Sequence, residues 1–338
     1  GKNIYLISQM IHNPEVNKDL ISRGVKFLQD TEGNEIIPFS SLKQDDIVLI
    51  PAFGATMEIE KMLVEKGIEI RKYDTTCPFV VRVWKKSEQL GAENHTLIIH
   101  GKYRHEETRA TFSRSALHSK AVVVKDMDES IRLASYIRGE KNSEEFYREF
   151  KGKFSEGFDV EKDLIRVGVI NQTTMLATET SEIAEFFKNQ MILKYGEENL
   201  KNHFADTRDT LCYATNENQD ATLAFNNTDA DLAFVVGGYN SSNTSHLVEL
   251  LEHKFPTFFI SGPDEIKSQK LIHHFNYPKS ILEKTENYLP VKEKIKVILT
   301  SGASCPDSIV EAVMRKIISY FNNVKQEQEV LDEILMSN

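Results

Sequence analysis

Cysteine is scarce: three residues in 338, at positions 77, 212 and 305. So few and so widely spaced, they argue against a disulfide framework and for a reducing compartment. No C-x-x-C occurs, which removes thioredoxin-like sites and zinc ribbons. No apolar run approaches the ~18 residues of a membrane-spanning helix. Positive charge is short as well. Lys and Arg number 41 against 51 Asp and Glu, for a net charge of −10, so sequence-independent nucleic-acid binding, which needs a basic surface, is not expected. Neither G-x-G-x-x-G nor G-x-x-x-x-G-K-[ST] is present, leaving dinucleotide and P-loop binding without support. No signal peptide is read either; Gly1-Lys2-Asn3 runs straight into the strand-like Ile4–Ile7, an abrupt start that reads as the edge of a longer chain.

Against this background one pattern occurs twice: Asp74-Thr75-Thr76-Cys77 and Asp209-Thr210-Leu211-Cys212, each followed by a helix-like run. Backbone N–H groups and the helix dipole favour a thiolate at such a position. A thiolate serves as a nucleophile or a metal ligand, and isolated cysteines from separate lobes can jointly hold one iron–sulfur cluster. A lone cysteine is also a common buried packing residue.

Strand-like and helix-like stretches alternate along the chain, which is long enough for two or three domains. Expected strands are Ile4–Ile7, Val25–Leu28, Ile47–Ile50, Ile68–Lys72, Thr96–Ile99, Ala121–Lys125, Leu164–Ile170, Ala233–Val236, Thr257–Ile260 and Ile295–Leu299. Expected helices include Glu15–Arg23, Met57–Lys66, Phe79–Leu90, Met127–Arg138, Ser245–Glu252 and Ser308–Phe321, the last with a clean apolar stripe. The charged stretch 140–162 reads as a surface insertion with one amphipathic helix. Residues from about Lys325 read as a charged tail. The pattern is a loose threefold repeat of an α/β fold: three similar lobes with parallel-type sheets. The boundaries are 1–77, 78–211 with the insertion 140–162, and 212–305; residues 306–338 form a C-terminal helix and tail packing back on the first lobe.

In parallel sheets ligands collect beyond the carboxyl ends of strands. The loops expected there carry His12, His100, His105, Glu107, Thr173, Ser241, Ser242, Asn243 and Ser304. Histidines, hydroxyls, an amide and close-approaching glycines suit a phosphate or diphosphate; Asn, Ser and Gly also dominate ordinary turns. His105-Glu106-Glu107-Thr108-Arg109 fails as a zinc-protease motif because position 109 is not histidine. Glu107 is either a proton-carrying acid or a carboxylate meeting a helix dipole.

Taken together, Ile11-His12-Asn13-Pro14, Asp74-Thr75-Thr76-Cys77-Pro78, His100-Gly101-Lys102-Tyr103-Arg104-His105-Glu106-Glu107-Thr108, Asn171-Gln172-Thr173-Thr174, Cys212 with Ala214-Thr215, Asn240-Ser241-Ser242-Asn243-Thr244, and Ser301-Gly302-Ala303-Ser304 with Pro306-Asp307 resemble the 4-hydroxy-3-methylbut-2-enyl diphosphate reductase (LytB) family. The resemblance runs from Ile4 to Phe321. Pro51-Ala52-Phe53-Gly54 and Gly101-Lys102-Tyr103 look like its plant and cyanobacterial branch. It implies three α/β lobes around a central [4Fe-4S] cluster and a diphosphate substrate. The implied reaction is reductive removal of the substrate's allylic hydroxyl to give isopentenyl and dimethylallyl diphosphate, the last step of the methylerythritol phosphate route to isoprenoids. Carried over, Cys77 and Cys212 ligate the cluster, and His12, His105, Ser241, Asn243 and Ser304 hold the diphosphate with Ser242 beside them. Glu107 relays protons, helped by Thr173. The resemblance also implies ferredoxin or flavodoxin as electron donor.

Two departures stand out. Phe53 occupies a position where much of the family has histidine; His100 and Lys102 are candidates to replace that donor. The family's first cluster cysteine has no counterpart before His12, so the third thiolate is expected upstream of Gly1. Cys305, at another helix start, is an alternative third ligand or a small packing residue. The competing expectations are a cluster-less diphosphate-binding homologue and a His/Glu metal hydrolase, the latter without a motif of the required spacing. Neither a membrane nor a nucleic-acid partner is expected. The expected compartment is a bacterial cytoplasm, or a plastid in a photosynthetic eukaryote.

Overall fold

The computed structural model describes residues 2–205, 207, 210–322 and 324–337; Asp209 of the second Asp-Thr-x-Cys lies outside them. The chain divides into two compact units, 1–219 and 220–338.

The first unit opens with β1 (Ile4–Leu6), α1 (Pro14–Ser22), β2 (Lys26–Phe27), β3 (Ile47–Leu49), α2 (Met57–Glu65) and α3 (Pro78–Ala92). Its first sheet is parallel, in the order β2-β1-β3. The core beneath it is built by Tyr5, Ile7, Leu28, Val48, Ile50 and Leu63. Next come β4 (Thr96–His100), α4 (Glu106–Ser115), β5 (Ala121–Val124), α5 (Met127–Ile137), α6 (Ser143–Glu149), α7 (Val160–Asp163), β6 (Val167–Asn171), α8 (Ala177–Tyr195), α9 (Leu200–His203), β7 (Phe204–Ala205) and α10 (Tyr213–Ala224). The second sheet, β5-β4-β6-β7, is also parallel. Its strands are apolar at nearly every position because both faces are covered. Leu97, Ile99 and Val123 meet Val83 and Leu90 of α3, while Ile98, Val122 and Val124 meet Leu133 of α5 and Ile183 and Phe187 of α8.

The second unit holds β8 (Leu232–Val236), α11 (Ser242–Glu252), β9 (Thr257–Ile260), β10 (Ile266–Ser268), β11 (Leu271–Asn276), β12 (Ile281–Glu286), β13 (Val297–Ser301), α12 (Asp307–Ile318) and α13 (Glu327–Ser337). A third parallel sheet runs β13-β8-β9, and β10-β11-β12 form an antiparallel meander. α11 packs on one face of the parallel sheet through Leu247, Val248 and Leu251, and α12 on the other through Val313 and Ile317.

The three parallel sheets share one plan. Each group's first strand (β1, β4, β8) lies between two neighbours. The chain therefore leaves the central strand toward one neighbour and returns later on its other side. A crevice opens between such diverging loops at the carboxyl ends, where α/β sheets bind ligands.

Several expectations are corrected. The stretch 140–162 is not a surface insertion, nor does it hold one helix. α6 and α7 both fall in it, and Phe146, Phe150 and Phe158 are buried in the core of the second sheet, with Phe146 stacked at 5.2 Å on each of the other two. Asn142 and Glu145 form a reciprocal capping box that starts α6. Residues 153–155 then run along β5, with Val123 N–H donating to Lys153 O and Ser155 N–H to Ala121 O. The charged residues misled because they occupy only the outer positions. Residues 68–72 are not a strand: the Glu69 carboxylate accepts from the N–H groups of Arg71 and Lys72 and folds the segment into a turn of 3₁₀ helix. Within its own unit, α12 packs on the sheet because its apolar stripe faces Leu232, Phe234 and Val236. The segment from Lys325 contains a helix, α13, on which Val330, Leu335 and Met336 are exposed. α11 begins three residues earlier than expected, which puts Ser242 and Asn243 in its first turn. The meander of residues 266–286 and helix α4 were not anticipated.

Candidate functional site

The Thr-x-Cys parts of both Asp-Thr-x-Cys segments are tied to residues at or just past a strand end. In the first, Thr75 donates from N–H and hydroxyl to the carbonyl of Ile50, the residue just past β3. Cys77 N–H then donates to Ala52 O at 2.9 Å. Asp74 closes the turn by accepting from the Thr76 N–H and hydroxyl at 2.9 and 2.6 Å. Cys77 caps α3, with Pro78 at its first position. In the second segment the Thr210 hydroxyl bonds the amide oxygen of Asn171, the last residue of β6, and Cys212 N–H donates to Thr173 O at 3.3 Å. Each cysteine thus hangs from a residue two or three positions beyond a strand end and immediately precedes a helix. Both thiols are free and half-buried.

The carbonyl that takes Cys212 N–H belongs to a threonine that also holds the proton donor. Thr173 donates from its N–H to Glu107 Oε1 at 2.5 Å and from its hydroxyl to Oε2 at 2.9 Å. Glu107 is 1% exposed in the first turn of α4. Burial pushes its carboxyl up to about 7, against the lowering effect of both Thr173 bonds. Near neutral pH it therefore holds or gives up a proton readily. His105 caps the same helix, its Nδ1 accepting from Glu107 N–H at 3.2 Å. Burial, and then the neighbouring His12, Lys102 and Arg109, hold it well below the usual histidine range. His105 is thus neutral, with its proton on Nε2. The loop between β4 and α4 is tight. A Cβ on Gly101 would lie 2.7 Å from the Thr108 hydroxyl oxygen, and that hydroxyl itself donates to Gln172 Oε1 at 2.9 Å.

His12 comes from the loop after β1. Asn13 caps α1 by accepting from Glu15 and Val16 N–H, and Asn17 donates to Ile11 O at 2.8 Å, fixing the backbone on either side of the histidine. The His12 ring stacks at a tilt on Phe53 at 4.3 Å and meets His105 edge-on at 4.9 Å. Its Nε2 is 2.7 Å from Glu106 Oε2, and both side chains are buried. Glu106 was missed by the sequence reading; the one available signal was a second carboxyl beside Glu107 at a helix start.

In the second unit the loops after β8 and β13 are joined by Gly302 N–H donating to Val236 O at 3.0 Å. Gly237 and Gly302 both press against Thr244, where any side chain on either would strike the Thr244 hydroxyl. Ser241 caps α11, accepting from Thr244 N–H at 3.3 Å. Ser242 and Asn243 occupy the first turn, both buried, and Ser304 lies half-buried ahead of α12. Both polar atoms of the Asn243 amide are buried without a hydrogen-bond partner among the described residues. Such a group is costly unless a ligand or water completes it.

Two candidates change standing. His100 ends β4 fully buried, with Nδ1 2.9 Å from the Thr180 hydroxyl and Nε2 3.7 Å from Glu179. Its ring faces α8, and Lys102 lies beside His105. Burial, with Asp307 nearby, pushes the Cys305 thiol up to about 11. It packs in the core of the third sheet and so lacks the expected thiolate character.

Among the described residues no group of three His, Cys, Asp or Glu side chains converges as a metal site. Two free thiols in matching settings nevertheless fit a thiolate-ligated cofactor by donor chemistry, and the orphaned Asn243 amide at a helix start fits an anion.

The fold and these groups define a multi-sheet α/β protein with a buried, unpartnered amide at a helix start, a desolvated carboxyl and two free thiols ahead of helices. A model of the LytB protein family matches residues 1–318, and the chain belongs to that family. The 4-hydroxy-3-methylbut-2-enyl diphosphate reductase of Prochlorococcus marinus (strain AS9601) is 45% identical over 320 residues, covering 94% of this chain and 78% of the relative. That of Gloeobacter violaceus is 40% identical over 320 residues, 94% of this chain and 75% of the relative. Among solved structures, the E-1-hydroxy-2-methyl-but-2-enyl-4-diphosphate reductase of Plasmodium falciparum superposes with a TM-score of 0.65 at 20% identity, over 99% of this chain and 89% of that one. A second, the (E)-4-hydroxy-3-methyl-but-2-enyl diphosphate reductase described as the terminal enzyme of the non-mevalonate pathway, gives 0.53 at 22% identity, over 94% and 89%. At these identities the structural likeness bears on the fold alone.

Proposed function

We propose that this protein is an iron–sulfur oxidoreductase that reductively removes the hydroxyl of (E)-4-hydroxy-3-methylbut-2-enyl diphosphate, yielding isopentenyl and dimethylallyl diphosphate. The observation that carries the reading is the chain of contacts from Glu107 through Thr173 to the Cys212 peptide. A carboxyl that titrates near neutrality is hydrogen-bonded to the same residue from which a candidate cluster ligand hangs. Family membership and relatives at 40–45% identity support the activity.

In this reading the loops beyond the carboxyl ends of the parallel strands carry the functional groups. A [4Fe-4S] cluster held by Cys77 and Cys212, with one further thiolate, supplies Lewis acidity toward the allylic hydroxyl and delivers the electrons. Glu107 gives its proton to the departing hydroxide, and Thr173 fixes the carboxyl and defines the proton's path. His105 presents Nε2–H to the diphosphate from the capped start of α4. Ser241, Ser242 and Asn243, with Ser304 ahead of α12, offer hydroxyls and an amide at the start of α11 to an anionic group of the substrate. Phe53, stacked on His12, stands where a polar donor is missing. Electrons come from a ferredoxin or flavodoxin. No helix among the described residues is long and apolar enough to cross a membrane.

Iron and acid-labile sulfide analysis of anaerobically purified variants tests the assignment. Cys77→Ser and Cys212→Ser each lose most of the iron. Cys305→Ser keeps it, because that thiol packs in a core. Full iron in the first two variants contradicts the assignment, and loss in the third makes Cys305 the further thiolate.

A further inference from the structure

The His12–Glu106 pair is built more firmly than a surface contact requires. The two residues lie 94 apart in sequence, in the loop after β1 and the first turn of α4, and meet at 2.7 Å with exposures of 5% and 4%. A carboxylate in such a place is tolerated only with a partner. Oε2 faces His12, while Oε1 is buried with no hydrogen-bond partner among the described residues. The other charged neighbour on this helix is Arg109, which interacts electrostatically with Glu106 and donates from Nη2 to Thr31 O at 3.3 Å.

The His12 ring is clamped on three sides, by Phe53, by His105 and by Glu106. With Nε2 engaged, Nδ1 is the ring nitrogen left to meet an anion. A neutral ring that gives its one proton to Glu106 offers a lone pair at Nδ1, which repels a phosphate oxygen. A ring carrying protons on both nitrogens donates to the phosphate while the carboxylate balances its charge, as the buried aspartate does for the histidine of a serine-protease triad.

Resting on the diphosphate reading of this site, we propose that Glu106 is the positioning residue for His12: it fixes the ring through Nε2 and supports a proton on Nδ1, so that diphosphate binding draws a proton onto the pair. The titratable and charged groups around the pair are His105, whose Nδ1 is occupied by Glu107 N–H, Lys102 next to His105, and Arg109 with Asp30, Glu32 and Tyr103 about it. None of the other residues assigned to the anion carries a carboxylate, so the effect is specific to Glu106.

Calorimetric titration of the cluster-loaded protein with inorganic pyrophosphate, in two buffers of different ionisation enthalpy, reads both affinity and proton uptake. The wild type takes up protons on binding, to an extent that depends on the Glu106 carboxylate. Glu106→Gln keeps the ring in place but loses the uptake. Glu106→Ala binds about 10- to 100-fold more weakly, the usual loss for a charge-assisted hydrogen bond. In turnover the Gln variant raises KM more than it lowers kcat, and the pH profile of kcat, which Glu107 sets, does not move. Iron content equal to wild type reports that the variants are folded. Unchanged affinity and unchanged proton uptake in both variants overturn the proposal. A wild type that does not bind pyrophosphate contradicts the diphosphate reading itself, a result distinguishable from the first.

Discussion

A carboxyl group that keeps its proton near neutral pH must be denied water without being given a cation. Glu107 meets both conditions: it is buried, its nearest partners are the N–H and hydroxyl of Thr173, and the adjacent His105 is neutral. Glu107→Gln keeps the shape and removes the exchangeable proton. It should retain iron and sulfide while lowering kcat by about 10²- to 10⁴-fold, the range for loss of a general acid; full activity removes Glu107 from the proton path. The same desolvation affects stability. The folded state holds this proton up to about pH 7, whereas an unfolded chain releases it near 4.5. As pH rises from 4.5 through 7 the folded state therefore loses about 3 kcal/mol relative to a neutral side chain. Denaturant titrations of wild type and Glu107→Gln should diverge across that window, with the variant gaining relative stability toward pH 8. Parallel curves mean that the carboxyl titrates like an exposed one. At this scale much was legible. His105, Glu107, Thr173 and both cysteines could be named because they sit in polar loops after apolar strands. Glu106 and the burial of His100 could not, because a polar residue at a strand end reads the same whether it faces a ligand or a neighbouring helix.

At the scale of elements, strands buried on both faces announced themselves. β4, β6 and β8 are unbroken apolar runs flanked by turn residues. The meander β10-β11-β12 did not, because it is half-exposed: Ile281 and Leu282 face water while His274 and Thr285 share a cross-strand hydrogen bond. Its strands therefore lack a clean apolar/polar alternation. Helix α4 was hidden for a different reason. Its capping residue and first turn form the site itself, so Glu106 and Glu107 serve both the helix start and the chemistry. The clearest misreading was 140–162, where six Lys, Arg and Glu side chains between 140 and 149 outweighed the three phenylalanines at 146, 150 and 158. Those rings stack into the core of the second sheet. Phe146→Ala should then destabilise the protein by about 3–5 kcal/mol, as core aromatic truncations do. A surface insertion would lose less than 1 kcal/mol, and thermal or denaturant unfolding separates the two.

At the scale of the whole molecule, the threefold repeat read from the sequence corresponds to three parallel sheets, each with its first strand in the middle. The repeat was visible because each sheet obeys the same rule: apolar strand, polar loop, helix. The candidate residues follow from it. His12, His105 and Ser241 come after the central strands, and Phe53, Thr173 and Ser304 after the neighbours β3, β6 and β13. Only the pairing inside those loops, such as the shared suspension of Cys77 and Cys212 from the residues beyond strand ends, required coordinates. The central claim is the reaction, and it is tested most directly by incubating the cluster-loaded protein anaerobically with (E)-4-hydroxy-3-methylbut-2-enyl diphosphate and a reduced ferredoxin and quantifying the products. Formation of both isopentenyl and dimethylallyl diphosphate, one water released for every two electrons consumed, is the expected result. A protein with its full complement of iron and sulfide that leaves the substrate unchanged contradicts the account.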